Sequence, residues 1–217
     1  MRSINVQQSK WLFCLGVSFC AVLMTYWPDG LLLFRYDRSA ILSGQVWRMI
    51  TGHLVHLNTP HLVLNVIGLF LLSELLWNKF PVLHALGLLA ATSAGISILL
   101  WLLHPELMNY AGLSGVLHGL WAAAALVGLS SNLPRRPMST ADPSTVKFLP
   151  NQYASLAGLL LLGAKLMLEW RHGASVRTEQ LIGAPIVTSA HLYGALIGTA
   201  YVLIWRISVL LNRQDDV

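Results

Sequence analysis

Ser114 sits in Ala111-Gly112-Leu113-Ser114-Gly115-Val116, at the mouth of a long apolar stretch, and His191 sits in another far downstream. Polar and ionisable groups are costly at membrane depth, so each is a functional hypothesis by default. A serine hydroxyl is a weak nucleophile until a base takes its proton. Histidine suits that task because it titrates near neutrality. The pair suggests a nucleophile and its base, built inside a bilayer. A third residue usually orients such a histidine. No Asp or Glu lies in the stretches carrying Ser114 and His191, and Glu74 and Glu169 fall near the ends of theirs, opposite to or remote from Ser114. The expectation is therefore a Ser–His dyad. Its oxyanion needs donors aimed where charge develops. The candidates are the Ser114 N–H, the Asn65 amide and the His61 imidazole. His61 and Asn65 are i and i+4, as are Ser114 and His118, so each pair shares a helix face.

The elements that must hold these groups are membrane helices. Of 217 residues, 55% are hydrophobic and 11% charged, too few charges for a soluble surface. The fold class is all-α, a polytopic membrane protein with one domain over 1–217. Its six spans are read at 11–27, 61–77, 81–103, 112–130, 149–170 and 185–211, from apolar run length and Pro, Gly and charge punctuation. The first stretch lacks a small-x-small cleavage site before Trp27-Pro28-Asp29 and reads as a helix, not a cleaved signal. Cys14 and Cys20 both fall within it and read as small apolar residues. The net charge of +5 reads as topology, not nucleic-acid binding. Arg2, Lys10, Lys79, Arg135, Arg136, Lys147, Arg206 and Arg213 fall on one side. Arg35, Arg38, Arg48, Arg171 and Arg177 fall on the other. That bias predicts cytoplasmic termini. Lys165 is left inside span five, snorkelling or facing protein.

Spans two, four and six run in the same direction. His61, Asn65, Ser114, His118 and His191 lie near their starts, so all five gather toward one bilayer face, the extracytoplasmic one by the charge rule. Gly115-xxx-Gly119 and Gly194-xxx-Gly198 would let spans four and six approach closely, bringing Ser114 within reach of His191. Hydrolysis needs water, hence a cavity open to one side and shielded from lipid by protein. Residues 105–111 are expected to line it with irregular backbone. Residues 28–60 read as a structured loop partly sunk in the interface, with Trp47-Arg48 as an anchor and His53 and His56 as interfacial or network residues. Residues 133–147, polar and rich in Pro, Ser and Arg, read as a flexible cytoplasmic loop. His84, His104 and His172 receive no role.

Trp47-Arg48, His61-x-x-x-Asn65, Gly112-x-Ser114-Gly115 and Ala190-His191-x-x-Gly194-x-x-x-Gly198, in this order and on these spans, resemble the rhomboid intramembrane serine proteases. The resemblance covers roughly the whole chain and its six-helix basic form. It implies Ser114 as nucleophile, His191 as general base, and His61 and Asn65 in the oxyanion hole, with Gly112, Gly115, His118 and Gly194 supporting. It implies cleavage of membrane-anchored protein substrates, in or beside a transmembrane segment, within the lipid bilayer. It also implies that span five and the loop over 173–184 form a gate and cap. Many bacterial rhomboids carry tyrosine four residues after the serine; this chain has His118, which would pack under His191 or tune its protonation. The string Gly112-Leu113-Ser114-Gly115-Val116-Leu117-His118-Gly119 is similar to the rhombosortase subgroup. That similarity implies substrates with a C-terminal Gly-Gly motif, a hydrophobic helix and a basic tail, and a bacterial inner (cytoplasmic) membrane location.

Three other readings compete. A zinc site from His53, His56, His61 and His191 lacks a His-Glu-x-x-His motif and a placed carboxylate base; no metal or other cofactor is expected. A soluble-type hydrolase elbow would need glycine where Val116 stands. An inactive client-binding scaffold, like the rhomboid relatives that lose the serine or histidine, is disfavoured because both are present. A general rhomboid with other substrates stays open beside the sorting-anchor reading.

Overall fold

The computed structural model describes residues 6–76, 82–130 and 150–212. In chain order the elements are α1 (Val6–Tyr26), α2 (Gly30–Phe34), β1 (Tyr36–Asp37), α3 (Arg38–Leu42), α4 (Arg48–Thr51), α5 (Thr59–Leu76), α6 (Val82–Leu103), β2 (Asn109–Tyr110), α7 (Ser114–Ser130), α8 (Pro150–His172), α9 (Val176–Ile182) and α10 (Thr188–Asn212). The six apolar stretches each fall on one of the long helices α1, α5, α6, α7, α8 and α10. The boundaries agree closely, except that α1 begins five residues earlier than expected. Four of them, α1, α6, α8 and α10, are long and apolar enough to cross a membrane, while α5 and α7 are shorter apolar helices. The chain is an integral membrane helical protein. The loop over 133–147 lies outside the described residues, as do Arg2, Lys79, Arg135, Arg136, Lys147 and Arg213 of the charge count.

α7 is the central helix, in contact with α5, α6, α8 and α10. Its sequence is apolar and small nearly all round, and Val116, Leu117, Leu120, Ala122 to Ala125 and Val127 are buried. A helix apolar on every face is one enclosed by others. The outer helices show the reverse: Leu15, Phe19, Leu86, Leu160, Leu161 and Ile204 are exposed. These side chains face where lipid would be, which makes their exposure unremarkable for a membrane fold.

Glycines set the α7–α10 contact. A β-carbon at Gly194 would overlap the Gly115 carbonyl oxygen, and one at Gly198 would overlap that of Gly119. The two helices thus meet backbone to backbone, as the paired glycine spacings predict. At the opposite end, Lys10 of α1 is buried and donates from Nζ to Glu74 Oε1 of α5 at 2.6 Å. Cys14 is buried and Cys20 exposed, both free.

Residues 28–58 form the structured loop expected of them. Arg48 is buried and holds three partners, Leu32 O at 2.8 Å, Arg35 O at 3.1 Å and Gln45 Oε1 at 2.8 Å. Asp37 caps α3 by accepting from Ala40 N, the usual role of an aspartate at a helix start. β1 pairs antiparallel with β2, Tyr36 opposite Tyr110. The loop is thereby fastened to the segment that enters α7.

Candidate active site

Ser114 opens α7, and the preceding residues fix its approach. Gly112 has φ +122°, a left-handed value that favours glycine, and its N–H donates to Gly52 O at 2.9 Å. A β-carbon there would also meet the His61 ring. Tyr110 donates its hydroxyl to Gly112 O at 2.9 Å; burial pushes that phenol up to about 12, so it stays protonated. The first α7 bond runs from Leu117 N to Leu113 O. The N–H groups of Ser114, Gly115 and Val116 therefore precede the helical ladder, where a helix start carries donors and partial positive charge.

His191 lies one turn into α10. Its Nε2 is 3.0 Å from Ser114 Oγ, and its Nδ1 is 2.9 Å from Glu169 Oε2. The ionised carboxylate only accepts, so Nδ1 carries the proton and Nε2 is free to accept from the serine hydroxyl. The expectation that Glu169 lies remote from Ser114 is corrected by this contact, which brings its carboxylate to the imidazole that meets the serine. α8 runs opposite to α7 and α10, so its end lies at the face where theirs begin. Glu169 stands three residues before the last residue of α8. Its other oxygen, Oε1, accepts from Lys165 Nζ at 2.5 Å, an i,i+4 pair. Of the two alternatives for Lys165, the structure gives the protein-facing one. Glu74 does lie at the far end, with Lys10.

His118 stacks on His191, with ring centroids 4.1 Å apart and planes inclined by 14°. Its Nδ1 donates to Ser114 O at 2.7 Å, and its buried Nε2 has no partner among the described residues. His61 and Asn65 line the same cavity as Ser114, of about 580 Å³, together with His118, Glu169 and His191. Asn65 Nδ2 donates to His61 O at 2.9 Å, and the His61 N–H is itself capped by Asn58 Oδ1. Leu107 and Ala111 supply irregular wall as expected, Asn109 and Tyr110 line the cavity as strand β2, and Ile182, Ala184 and Pro185 border it from α9 and its following loop. Gly115 and Gly194 set the helix contact beneath.

His53 and His56 sit behind the site. His53 Nε2 donates to Ser97 Oγ, which donates onward to Met49 O. The His56 ring meets the edge of His61, with centroids 5.0 Å apart. Burial holds both imidazoles neutral down to about 3, aided at His56 by the neighbouring His61. His104 bridges Tyr193 Oη of α10 and Glu106 Oε1. Among the described residues, the cluster able to offer metal ligands is His118, Glu169 and His191, whose ligand atoms lie within 4.8 Å of one another. It is not the His53, His56, His61 and His191 set.

A comparison with curated proteins returns no match. The family model for the rhomboid domain matches residues 43–208. That span runs from the loop ahead of Arg48 to beyond His191, includes every side chain at the cavity named above and exceeds half of the chain. The chain belongs to the rhomboid family.

Proposed function

We propose that this protein is an intramembrane serine peptidase, a reading consistent with a family of intramembrane serine proteases, and that Ser114 and His191 perform its chemistry. The observation that carries this is the 3.0 Å contact between Ser114 Oγ and His191 Nε2 at a cavity of about 580 Å³. Ser114 Oγ attacks the scissile carbonyl carbon while its proton passes to His191 Nε2. Charge on the carbonyl oxygen is met by the Ser114 N–H, with His61 and Asn65 as the side-chain donors. His191 then gives its proton to the leaving amine as the C–N bond breaks. Water, losing a proton to the same nitrogen, hydrolyses the acyl-serine and restores the hydroxyl.

The whole chain forms one six-span domain in the bacterial inner membrane, with cytoplasmic termini and the cavity toward the extracytoplasmic face. Its substrates are membrane-anchored proteins with a Gly-Gly motif, a hydrophobic helix and a basic tail at the C-terminus. The His118-containing octapeptide supports this substrate class. Coexpression with such a substrate tests both levels. Wild-type protein should release the product and Ser114→Ala should not. Undiminished cleavage by Ser114→Ala contradicts the peptidase reading. Processing of unrelated membrane substrates, with the Gly-Gly substrate left intact, contradicts the sorting-anchor reading.

A further inference from the structure

We propose that Glu169 is the positioning residue of the base, so that this peptidase works with a Ser–His–Glu relay whose third member is carried on α8 and held there by Lys165. The inference rests on the peptidase reading and adds a residue to it.

Three observations meet at this carboxylate. Glu169 Oε2 lies 2.9 Å from His191 Nδ1, on the far side of the ring from Ser114. Its side chain is only 14% exposed, although α8 as a whole is the least enclosed candidate span: 6% of its apolar window is buried, against 22–33% for the other three. Lys165 Nζ occupies Oε1, so Oε2 is the oxygen left for the imidazole. A lone carboxylate at membrane depth is costly, and the i,i+4 ammonium compensates it while fixing its rotamer.

The α8 face that brings Glu169 inward is built for docking. Leu162, Lys165, Leu166 and Glu169 recur at helical spacing, and Leu162 packs with Ala122 of α7 and Ala195 of α10. Gly158, one turn earlier, lets the Trp121 indole approach. α8 thus presents a narrow seam to α7 and α10 that ends in the carboxylate.

The chemistry follows from the proton positions. An Nδ1–H donated to Glu169 keeps Nε2 unprotonated and aimed at Ser114 Oγ. When His191 takes the serine proton, the carboxylate stabilises the resulting imidazolium and does not itself become protonated. The titratable and charged groups facing His191 are Glu169 and Lys165 from α8, His118 from α7 and His61 from α5.

The test is kinetic, on full-length protein in detergent or lipid, with Glu169→Gln and Glu169→Asp. Glu169→Gln should lower kcat roughly 100-fold with KM little changed, since it presents a neutral group to an imidazole that must become charged. Its pH–rate profile should move its acidic limb to lower pH. Glu169→Asp should recover part of the loss. Wild-type kcat in Glu169→Gln overturns the proposal. So does a loss with an unmoved acidic limb and no recovery in Glu169→Asp, which marks a purely structural role. The Ser114→Ala comparison separates the two layers: wild-type protein no more active than Ser114→Ala overturns the peptidase reading itself.

Discussion

At the residue scale, His191 is held on three sides: Ser114 at Nε2, Glu169 at Nδ1 and the His118 ring against its face. Such coupling makes substitutions non-additive. Lys165→Met leaves Glu169 uncompensated, so kcat should fall roughly 10-fold, in line with the strength of charge-assisted hydrogen bonds. Combined with Glu169→Gln, the same change should cost little more, because the carboxylate it serves is already gone; a fully additive double variant contradicts the relay. That Ser114, His61 and His191 meet at one cavity is legible in the sequence because each is a polar residue at the start of an apolar stretch. Glu169 is less legible because it lies near the end of its span, and only the opposite direction of α8 brings that end to the face of Ser114. The rule that gathers the starts of α5, α7 and α10 on one face also places the end of the antiparallel α8 there. The signal was present as Leu162, Lys165 and Glu169 on one helical face.

At the element scale, the contact between α7 and α10 determines whether nucleophile and base meet. Gly194→Ala puts a β-carbon onto the Gly115 carbonyl oxygen, so the helices must part. A displacement of about 1 Å is enough to cost about 100-fold in rate, and cleavage by Gly194→Ala should fall by that order. Wild-type activity in that variant contradicts the close approach. The glycine spacing and the element ends were readable because apolar run length and small-residue period are local properties. The pairing of β1 with β2, which fastens the 28–58 loop beside the entrance to α7, was not. It joins segments about seventy residues apart through backbone bonds, on which the side chains at those positions carry little information.

At the scale of the whole molecule, the packing that builds the cavity also buries His53 and His56 in neutral form. Each is held down to about 3 in the fold and titrates near 6.5 when unfolded. Unfolding therefore takes up protons below pH 6.5, and stability falls as pH drops from 6.5 toward 3, by at most about 1.4 kcal/mol per group per pH unit. The thermal midpoint in detergent should be lower at pH 5 than at pH 7, with the difference reduced in His56→Asn; a pH-independent midpoint contradicts the burial of neutral imidazoles. The central claim is that Ser114 is a nucleophile activated by His191. Fluorophosphonate labelling followed by mass spectrometry reads this directly. Wild-type protein should carry one adduct on Ser114, and His191→Ala should abolish it. No adduct in the wild type, or an undiminished labelling rate in His191→Ala, would contradict the account.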